Sequence, residues 1–525
     1  MKKIKFFAAA LGLMTLAACS NSDDVFTGED VVQSQQDANA ITFGTYIGQQ
    51  AQTRAGVAGS ITTTSLKTGD HSAGFGVFAY YTGADDYAYS AVTITGATGQ
   101  SSVKPNFMYN QQVQWTSGKT GYVGAEGDYA WAYTPLKYWP NEVQGGAVDD
   151  QTGAATSEGG HGGKLSFFAY APYVASAGGD YGITAMTANS LESDPILTYV
   201  VNPAGSDVVD LLWGTTGTNG VNVLGSGNSG VTYNASGTNY QKSILPNKAE
   251  SPDGYTLNAD LTKQKTGGQV SFAFKHALAK VGGSKTGSTT GSGLQIKADL
   301  DDGKGAETGG DKETATLITV NSITIVAKAK SAASGDGVYY QTKQAGTFNL
   351  ANGRWAITST KGASATAAAT THIINQSGTG TNVAGKLNKA IAENDITYSS
   401  GWKADDDDID GVTTDAQDVY ATEAAPLVFI PGTYPELKVT VDYYVRTYDG
   451  KVDGGYSEVQ QEITKTLTFA QAVELNKQYN LLIRLGLTGV KFTATVSEWE
   501  PYDADGDGII DDEDKTDVYV PINVQ

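Results

Sequence analysis

The chain has 525 residues, a formal net charge of −21 and a sequence pI near 4.5. This acidity excludes a nucleic-acid partner, because nucleic-acid binding requires a basic surface. Glycine (64 residues) and tyrosine (29 residues) are abundant and the apolar runs are short, which favours an all-β protein. The length is sufficient for more than one domain.

Residues 1–18 have the layout of a lipoprotein signal peptide. Three lysines precede an apolar run at residues 6–18, which is too short to span a bilayer. The run ends in Leu-Ala-Ala-Cys, which resembles a lipobox, and Cys19 is the sole cysteine. We therefore expect an acyl anchor on the sulfur of Cys19. An ordinary signal peptide with a chance cysteine is the alternative. The acidic residues that follow Cys19 resemble a signal for export to the outer face of an outer membrane, and a plain flexible tether is the alternative.

The first predicted strand follows a polar tether, and together they form the segment 19–54. Apolar or small side chains at Ile41, Phe43, Thr45 and Ile47 alternate with residues of the opposite face. This period of two is typical of a strand that buries one face. The following stretch, residues 49–56, is polar and has no strand pattern.

The body of the chain is a succession of short apolar runs separated by turn residues. This pattern predicts β-sandwich domains, one at 55–265 and a second at 266–499.

An acidic loop comes next, in the sequence "DADGDGIIDDED" of the terminal segment 500–525. Its spacing matches a calcium loop of the EF-hand type, with Gly508 at the turn position and oxygen ligands around one point. Aspartate replaces the usual glutamate at the last position, so we expect weak Ca²⁺ binding. An acidic spacer without a metal is the alternative. The candidate ligands are Asp503, Asp505, Asp507, Ile509, Asp511 and Asp514.

The chain closes on a second one-faced strand, with Val518, Val520, Ile522 and Val524 in alternation. The pattern alone leaves two interpretations open. The strand pairs with the edge of its own domain, or it is donated to a groove in another subunit.

Arginine is scarce, since only four of the 35 basic residues are arginines. Arg354, Arg446 and Arg484 lie in strand-like runs, whereas Arg54 lies in a stretch without a strand pattern. A protease needs an accessible, extended backbone around the bond that it cuts, and among the four arginines the sequence predicts this only for Arg54. An ordinary surface arginine is the alternative.

A set of aromatic strand motifs, in a fixed order, resembles the fimbrillin family, the lipoprotein pilins of type V pili. The resemblance covers the chain from about residue 40 onward, and each motif is weak by itself. The motifs are "FGVFAYY", "MYNQQVQW", "WAYTPLKYWP", "SFFAYAPY", "DLLW", "FKHALAKV" and "YNLLIRLGL…VKFTATVSEW".

This resemblance implies two transthyretin-like β-sandwich domains and assembly by strand exchange. An Arg-specific protease would cut between Arg54 and Ala55, and the first strand would leave with its lipid. The C-terminal strand of a neighbouring pilin subunit would then fill the groove. The protein would start as an outer-membrane lipoprotein and end in a pilus that supports adhesion to a surface whose ligand the sequence does not name.

No nucleophile elbow, phosphate loop or zinc motif is present, so the sequence predicts a protein that is not an enzyme. The four histidines show no metal-ligand spacing, and His276 is interpreted as a packed or edge residue. Two other functions stay open beside a stalk pilin. One is an accessory, tip or anchor subunit of the same pilus, and the other is a surface lipoprotein that binds glycans.

Overall fold

Extended segments dominate the part of the chain that the computed structural model describes, which confirms the predicted all-β class. None of the described helices has the length and apolar character needed to cross a bilayer. The described residues are 40–47, 61, 63–69, 71–83, 87, 101–117, 129–140, 163–178, 180–201, 210–215, 257–261, 269–282, 293–298, 316–332, 339–340, 344–359, 361–362, 371–375, 417–418, 427–448, 451–452, 456–485, 489–498, 518–520 and 522–525.

The N-terminal half contains ten strands, one short helix and one 3-10 turn among its described residues. The helix is α1 (Thr63–Lys67) and the 3-10 turn is Asp180–Gly182. The strands are β1 (Thr42–Ile47), β2 (Phe75–Gly83), β3 (Met108–Ser117), β4 (Tyr129–Ala132), β5 (Lys164–Ala171), β6 (Ile183–Met186), β7 (Ile196–Val201), β8 (Leu212–Thr215), β9 (Asn258–Leu261) and β10 (Gln269–His276).

The described residues of the C-terminal half form sixteen strands. They are β11 (Ala279–Val281), β12 (Leu294–Ala298), β13 (Thr316–Lys330), β14 (Tyr339–Tyr340), β15 (Gln344–Asn349), β16 (Arg354–Ile357), β17 (Lys361–Gly362), β18 (Thr371–Asn375), β19 (Gln417–Asp418), β20 (Leu427–Phe429), β21 (Tyr434–Tyr448), β22 (Tyr456–Phe469), β23 (Lys477–Leu485), β24 (Val490–Glu498), β25 (Val518–Val520) and β26 (Ile522–Val524).

The first sheet has eight strands in the order β1-β10-β8-β5-β2-β3-β4, with β9 paired to β5. Its central strands are buried on both faces, which explains why β2 and β5 have continuous apolar sequences rather than alternating ones. In β2, for example, Phe75 and Val77 enter one core while Phe78 and Tyr80 enter the core on the opposite face. The sheet therefore lies between two apolar cores.

A four-stranded sheet with the order β16-β15-β7-β6 shares the second of these cores. Strand β15 pairs with β7 from Gln344↔Val201 to Asn349↔Ile196. β10 and β15 follow residue 265 and pair with strands that precede it. Sheet pairing therefore crosses the boundary that the sequence predicted.

The remaining two sheets have seven strands each and enclose a third core. One has the order β19-β12-β23-β11-β20, with β24 on β23 and β25 on β24. The other has the order β17-β14-β13-β21-β22-β26, with β18 on β13. Leu481 and Ile483 on β23 share this third core with Val439 on β21 and Leu467 on β22. The two seven-stranded sheets therefore form a β-sandwich.

Candidate functional site: the groove of the first strand

Strand β1 lies at the edge of the first sheet and is far in sequence from its partner. It runs parallel to β10, in a register from Thr42↔Gln269 to Ile47↔Phe274. Strand β8 occupies the other side of β10. Because an edge strand has a sheet neighbour on one side, it can leave without breaking the pairing of the strands that remain.

The start of β1 is also held on the side away from β10, by the chain that follows β4. Ala40 forms a bridge with Tyr138. The Ile41 N–H donates to the Lys137 carbonyl at 2.9 Å, and the Tyr133 hydroxyl donates to the Ile41 carbonyl at 2.9 Å. The first strand therefore lies in a groove with β10 on one side and residues 133–138 on the other.

Phe43 fills the centre of this groove and is almost fully buried. Its ring lies 5.3 Å from Tyr133 and about 6 Å from Phe75, Phe167 and Phe272, centroid to centroid. Burial of a phenylalanine ring stabilises a fold by about 3 kcal/mol, and edge-to-face contacts add to this. Removal of β1 would therefore open an aromatic groove that needs a new apolar occupant.

After β1 the described chain enters the core again at Ile61. This residue is buried, and its N–H donates to the Asp210 carboxylate at 3.2 Å. Leu66 of α1 is buried in the same core. Arg54 and Ala55, the predicted cleavage site, lie outside the described residues, between β1 and Ile61. A cut there would separate β1 from everything that follows.

The three other arginines lie in strands, as the sequence pattern indicated. Arg354 begins β16, Arg446 lies in β21 and Arg484 lies in β23. Strand residues are poor protease substrates, since a protease must bind an extended backbone that is free of sheet pairing. Among the arginines, Arg54 is thus the one whose neighbours carry no strand pattern.

A buried histidine–carboxylate pair lies next to the groove, where β10 ends and the chain passes to β11. Nδ1 of His276 and Oδ2 of Asp210 are 2.6 Å apart, and both side chains are buried. The His276 N–H donates to Asn476 Oδ1 at 3.2 Å, and the Ala277 N–H donates to the Leu211 carbonyl at 2.7 Å. The pair therefore joins the residues before β8 to the end of β10 within the first sheet, and the separate bond to Asn476 links β10 to the chain just before β23.

The sequence pattern predicted that His276 is a packed or edge residue, and the structure buries it. The pattern did not indicate its partner. The two residues lie in the motifs "DLLW" and "FKHALAKV", 66 positions apart, and no local spacing relates them. No group of three or more His, Cys, Asp or Glu that could hold a metal occurs in the described part of the chain. The pair is a buried contact at the junction of β8 and β10, two neighbouring strands of the first sheet.

A second buried polar cluster centres on Asp194, at the core between the first sheet and the four-stranded sheet. The Tyr87 hydroxyl donates to Asp194 Oδ1 at 2.7 Å, and Asn349 Nδ2 donates to Oδ2 at 2.9 Å. Burial raises the pKa of Tyr87 well above its ordinary value, and the Asp194 charge adds to the shift. The hydroxyl therefore stays protonated and serves as a permanent donor.

The predicted donor strand lies on its own C-terminal sandwich in this structure. Strand β25 pairs with β24, and strand β26 pairs with β22, both antiparallel. The Gln525 N–H and carbonyl exchange hydrogen bonds of 2.9 and 3.0 Å with Thr466. This arrangement corresponds to the first interpretation that the sequence left open, and donation to another subunit stays a prediction.

Burial along this strand falls toward its end. Val520 is 3% exposed and belongs to the third core, whereas Ile522 is half-buried and packs against that core. Val524 is 42% exposed. The last of the four predicted donor side chains is therefore not needed by the domain on which it lies.

Cys19 and the loop at 503–514 lie outside the described residues. The lipid anchor and the calcium site stay predictions from the sequence. The candidate calcium ligands in this loop are Asp503, Asp505, Asp507, Ile509, Asp511 and Asp514.

These features describe an all-β protein with β1 at the edge of one sheet and two short C-terminal strands, β25 and β26, paired to the sandwich. No family model matches the chain. Over 300 residues it is 25% identical to the fimbrium subunit Fim1C of Phocaeicola vulgatus, a match that covers 56% of this chain and 54% of the relative. The match thus spans about half the length of that curated relative.

Two solved structures are also similar. A fimbrial protein from Bacteroides vulgatus is 19% identical, with coverage of 88% of this chain and 99% of that one and a TM-score of 0.46. A putative cell adhesion protein from Bacteroides uniformis is 13% identical, covers 88% and 100% of the two chains, and gives a TM-score of 0.30.

The chain resembles the fimbrillin family, as its aromatic motifs indicated. The relative is named as a subunit of a fimbrium, in agreement with the prediction that this chain is not an enzyme.

Proposed function

We propose that this chain is a structural subunit of a surface fimbria, a stalk pilin of a type V pilus. The observation that carries the proposal is the placement of β1. This strand fills an aromatic groove at the edge of its sheet, and its covalent link to the rest of the protein passes through the segment that contains Arg54. The relationship to a fimbrium subunit supports the same function.

In the proposed assembly, Cys19 carries the lipid that holds the precursor at the outer membrane. An Arg-specific protease cuts between Arg54 and Ala55, and β1 departs with the anchor. The vacated groove then exposes the unpaired backbone groups of β10 and the aromatic pocket that the Phe43 ring had filled. An extended strand with alternating apolar side chains satisfies both.

The proposed donor is the C-terminal strand of a neighbouring subunit. To be donated, it must first leave its own sandwich. Each of β25 and β26 pairs over three register positions, and Val524 contributes little burial. Short ladders of this kind open locally at low cost compared with the long hairpin of β21 and β22.

An accessory, tip or anchor subunit of the same pilus is the second candidate. The docking of β25 and β26 on their own sheets favours a tip subunit, because the family resemblance implies that tip subunits have no strand to donate. The third interpretation, a glycan-binding lipoprotein, has less support. Trp131, Trp139 and Trp213 are at least nine-tenths buried, so they do not form sugar platforms.

We further propose that the loop from Asp503 to Asp514 binds Ca²⁺ and stiffens the connection between β24 and β25. The expected result is saturable heat on titration of the full chain with millimolar Ca²⁺ by isothermal calorimetry. A variant with Asp503→Ala and Asp505→Ala, which removes two ligands, should abolish this heat. Absence of heat from the unaltered chain would reject the site.

N-terminal sequencing of protein sheared from the cell surface tests the proposed function. We expect a start at Ala55, in material that runs as an SDS-resistant ladder when it is not heated. A blocked N-terminus at a lipidated Cys19, without a ladder, would contradict a stalk pilin. It would support the anchor subunit instead.

A further inference from the structure

Thr45 is a poorly matched residue in the groove of the first strand. Its side chain lies on the same buried face of β1 as Ile41 and Phe43 and is 1% exposed. Its hydroxyl oxygen has no hydrogen-bond partner in the structure. Its register partner on β10 is Phe272, which offers no polar side-chain atom. A buried hydroxyl without a partner loses its hydration and gains nothing in exchange.

Other buried hydroxyls of the same sheet do have partners. The Thr215 hydroxyl on β8 donates to the Ala273 carbonyl at 2.7 Å. The Ser166 hydroxyl on β5 accepts from the Asp260 N–H at 2.9 Å. Buried hydroxyls are usually satisfied in proteins. The hydroxyl of Thr82 on β2 also has no partner, but Thr82 is half-buried as a residue, whereas Thr45 is 1% exposed.

The C-terminal strand carries no such defect. Its alternating positions are Val518, Val520, Ile522 and Val524. All four are aliphatic and β-branched. Whenever this face of the donated strand points into the groove, one of these aliphatic side chains takes the position of the Thr45 side chain, whatever the register. Valine has nearly the same shape as threonine but carries a methyl group in place of the hydroxyl. It therefore fits the space that Thr45 occupies, and no hydroxyl is desolvated.

We propose that Thr45 is a specificity-determining residue of the groove, which weakens the hold on β1 and favours an incoming strand that is aliphatic at this position. The inference rests on the proposed function, since it concerns the direction of strand exchange. The first strand is held well enough to fold the precursor. It is held less well than the strand that replaces it.

The test compares the full chain with its Thr45→Val variant. Before cleavage, the variant should unfold at a temperature about 2–4 °C higher, measured by circular dichroism. After cleavage by an Arg-specific protease, dissociation of the β1 peptide should be about tenfold slower, followed by mass spectrometry of the released peptide. Polymer growth should slow in proportion.

Thr45→Ser is the matched control, because it keeps the hydroxyl and removes the methyl group. It should unfold at a lower temperature and release β1 no more slowly than the unaltered chain. Equal release rates for the unaltered chain and Thr45→Val would overturn the inference, while polymer growth in both would leave the proposed function intact. If the cleaved, unaltered chain keeps β1 and forms no polymer, the proposed function fails, and the role of Thr45 in exchange fails with it.

Discussion

Replacement of Arg54 by alanine is expected to abolish polymer formation while leaving the lipoprotein on the membrane. In the uncut chain, β1 stays tethered to the groove that it fills. A tethered strand rebinds at an effective concentration in roughly the millimolar range, which an incoming strand must exceed. The six register pairs with β10 and the burial of Phe43 further slow its departure. We expect the yield of SDS-resistant polymer to fall at least about a hundredfold.

Two controls separate processing from folding. Arg54→Lys keeps the positive charge, so an Arg-specific protease should leave it uncut and the polymer should be absent here too. Gln52→Ala alters the same segment without removing the arginine and should polymerise normally. Western blots of membrane and sheared fractions provide the measurement. Normal amounts of polymer from Arg54→Ala would remove the cleavage step from the proposed assembly.

The sequence was sufficient to place the first strand and its buried face. Alternation predicted a strand from Ile41 onward, and the structure buries Ile41, Phe43 and Thr45 on one face. It could not predict the parallel pairing with β10, because the partner begins at Gln269 and pairing between distant strands leaves no local signal. Nor does alternation indicate whether the Thr45 hydroxyl finds a hydrogen-bond partner, because such a partner comes from other strands.

The arrangement of the sheets was less accessible from the sequence. A boundary near residue 265 was predicted because a second set of strand-like runs begins there. In the structure, β15 continues the four-stranded sheet of β7 at a separation of more than a hundred residues. The contact between Asp210 and His276 was equally hidden, because the two residues are 66 positions apart in the chain. A period of two along one strand carries no information on which strand lies beside it.

The C-terminal strand illustrates how one pattern is consistent with two structures. Val518, Val520, Ile522 and Val524 predict a buried face without saying what buries it. The structure divides the strand between two sheets of one sandwich, with β25 on β24 and β26 on β22. This placement buries Val520 and leaves Val524 at the rim. The difference between these two residues provides a test of donation that does not disturb the monomer.

Val524→Asp is expected to leave the monomer intact and to prevent its incorporation into polymer. In the monomer this side chain is 42% exposed, so a carboxylate there stays hydrated. We expect the unfolding temperature to change by no more than about 1 °C. In a donated strand the same position faces the groove, where an unpaired charge costs at least about 3 kcal/mol, equivalent to more than a hundredfold in affinity.

Asn523→Asp is the matched control, because it adds the same charge one residue away, on an exposed position of opposite facing. It should polymerise normally and should not alter the unfolding temperature. Mixing purified, cleaved subunits and following the ladder on unheated gels distinguishes the two variants. If Val524→Asp polymerises as well as Asn523→Asp does, this position does not enter a groove. The last strand would then belong to its own sandwich, as expected of a subunit that does not extend the fibre.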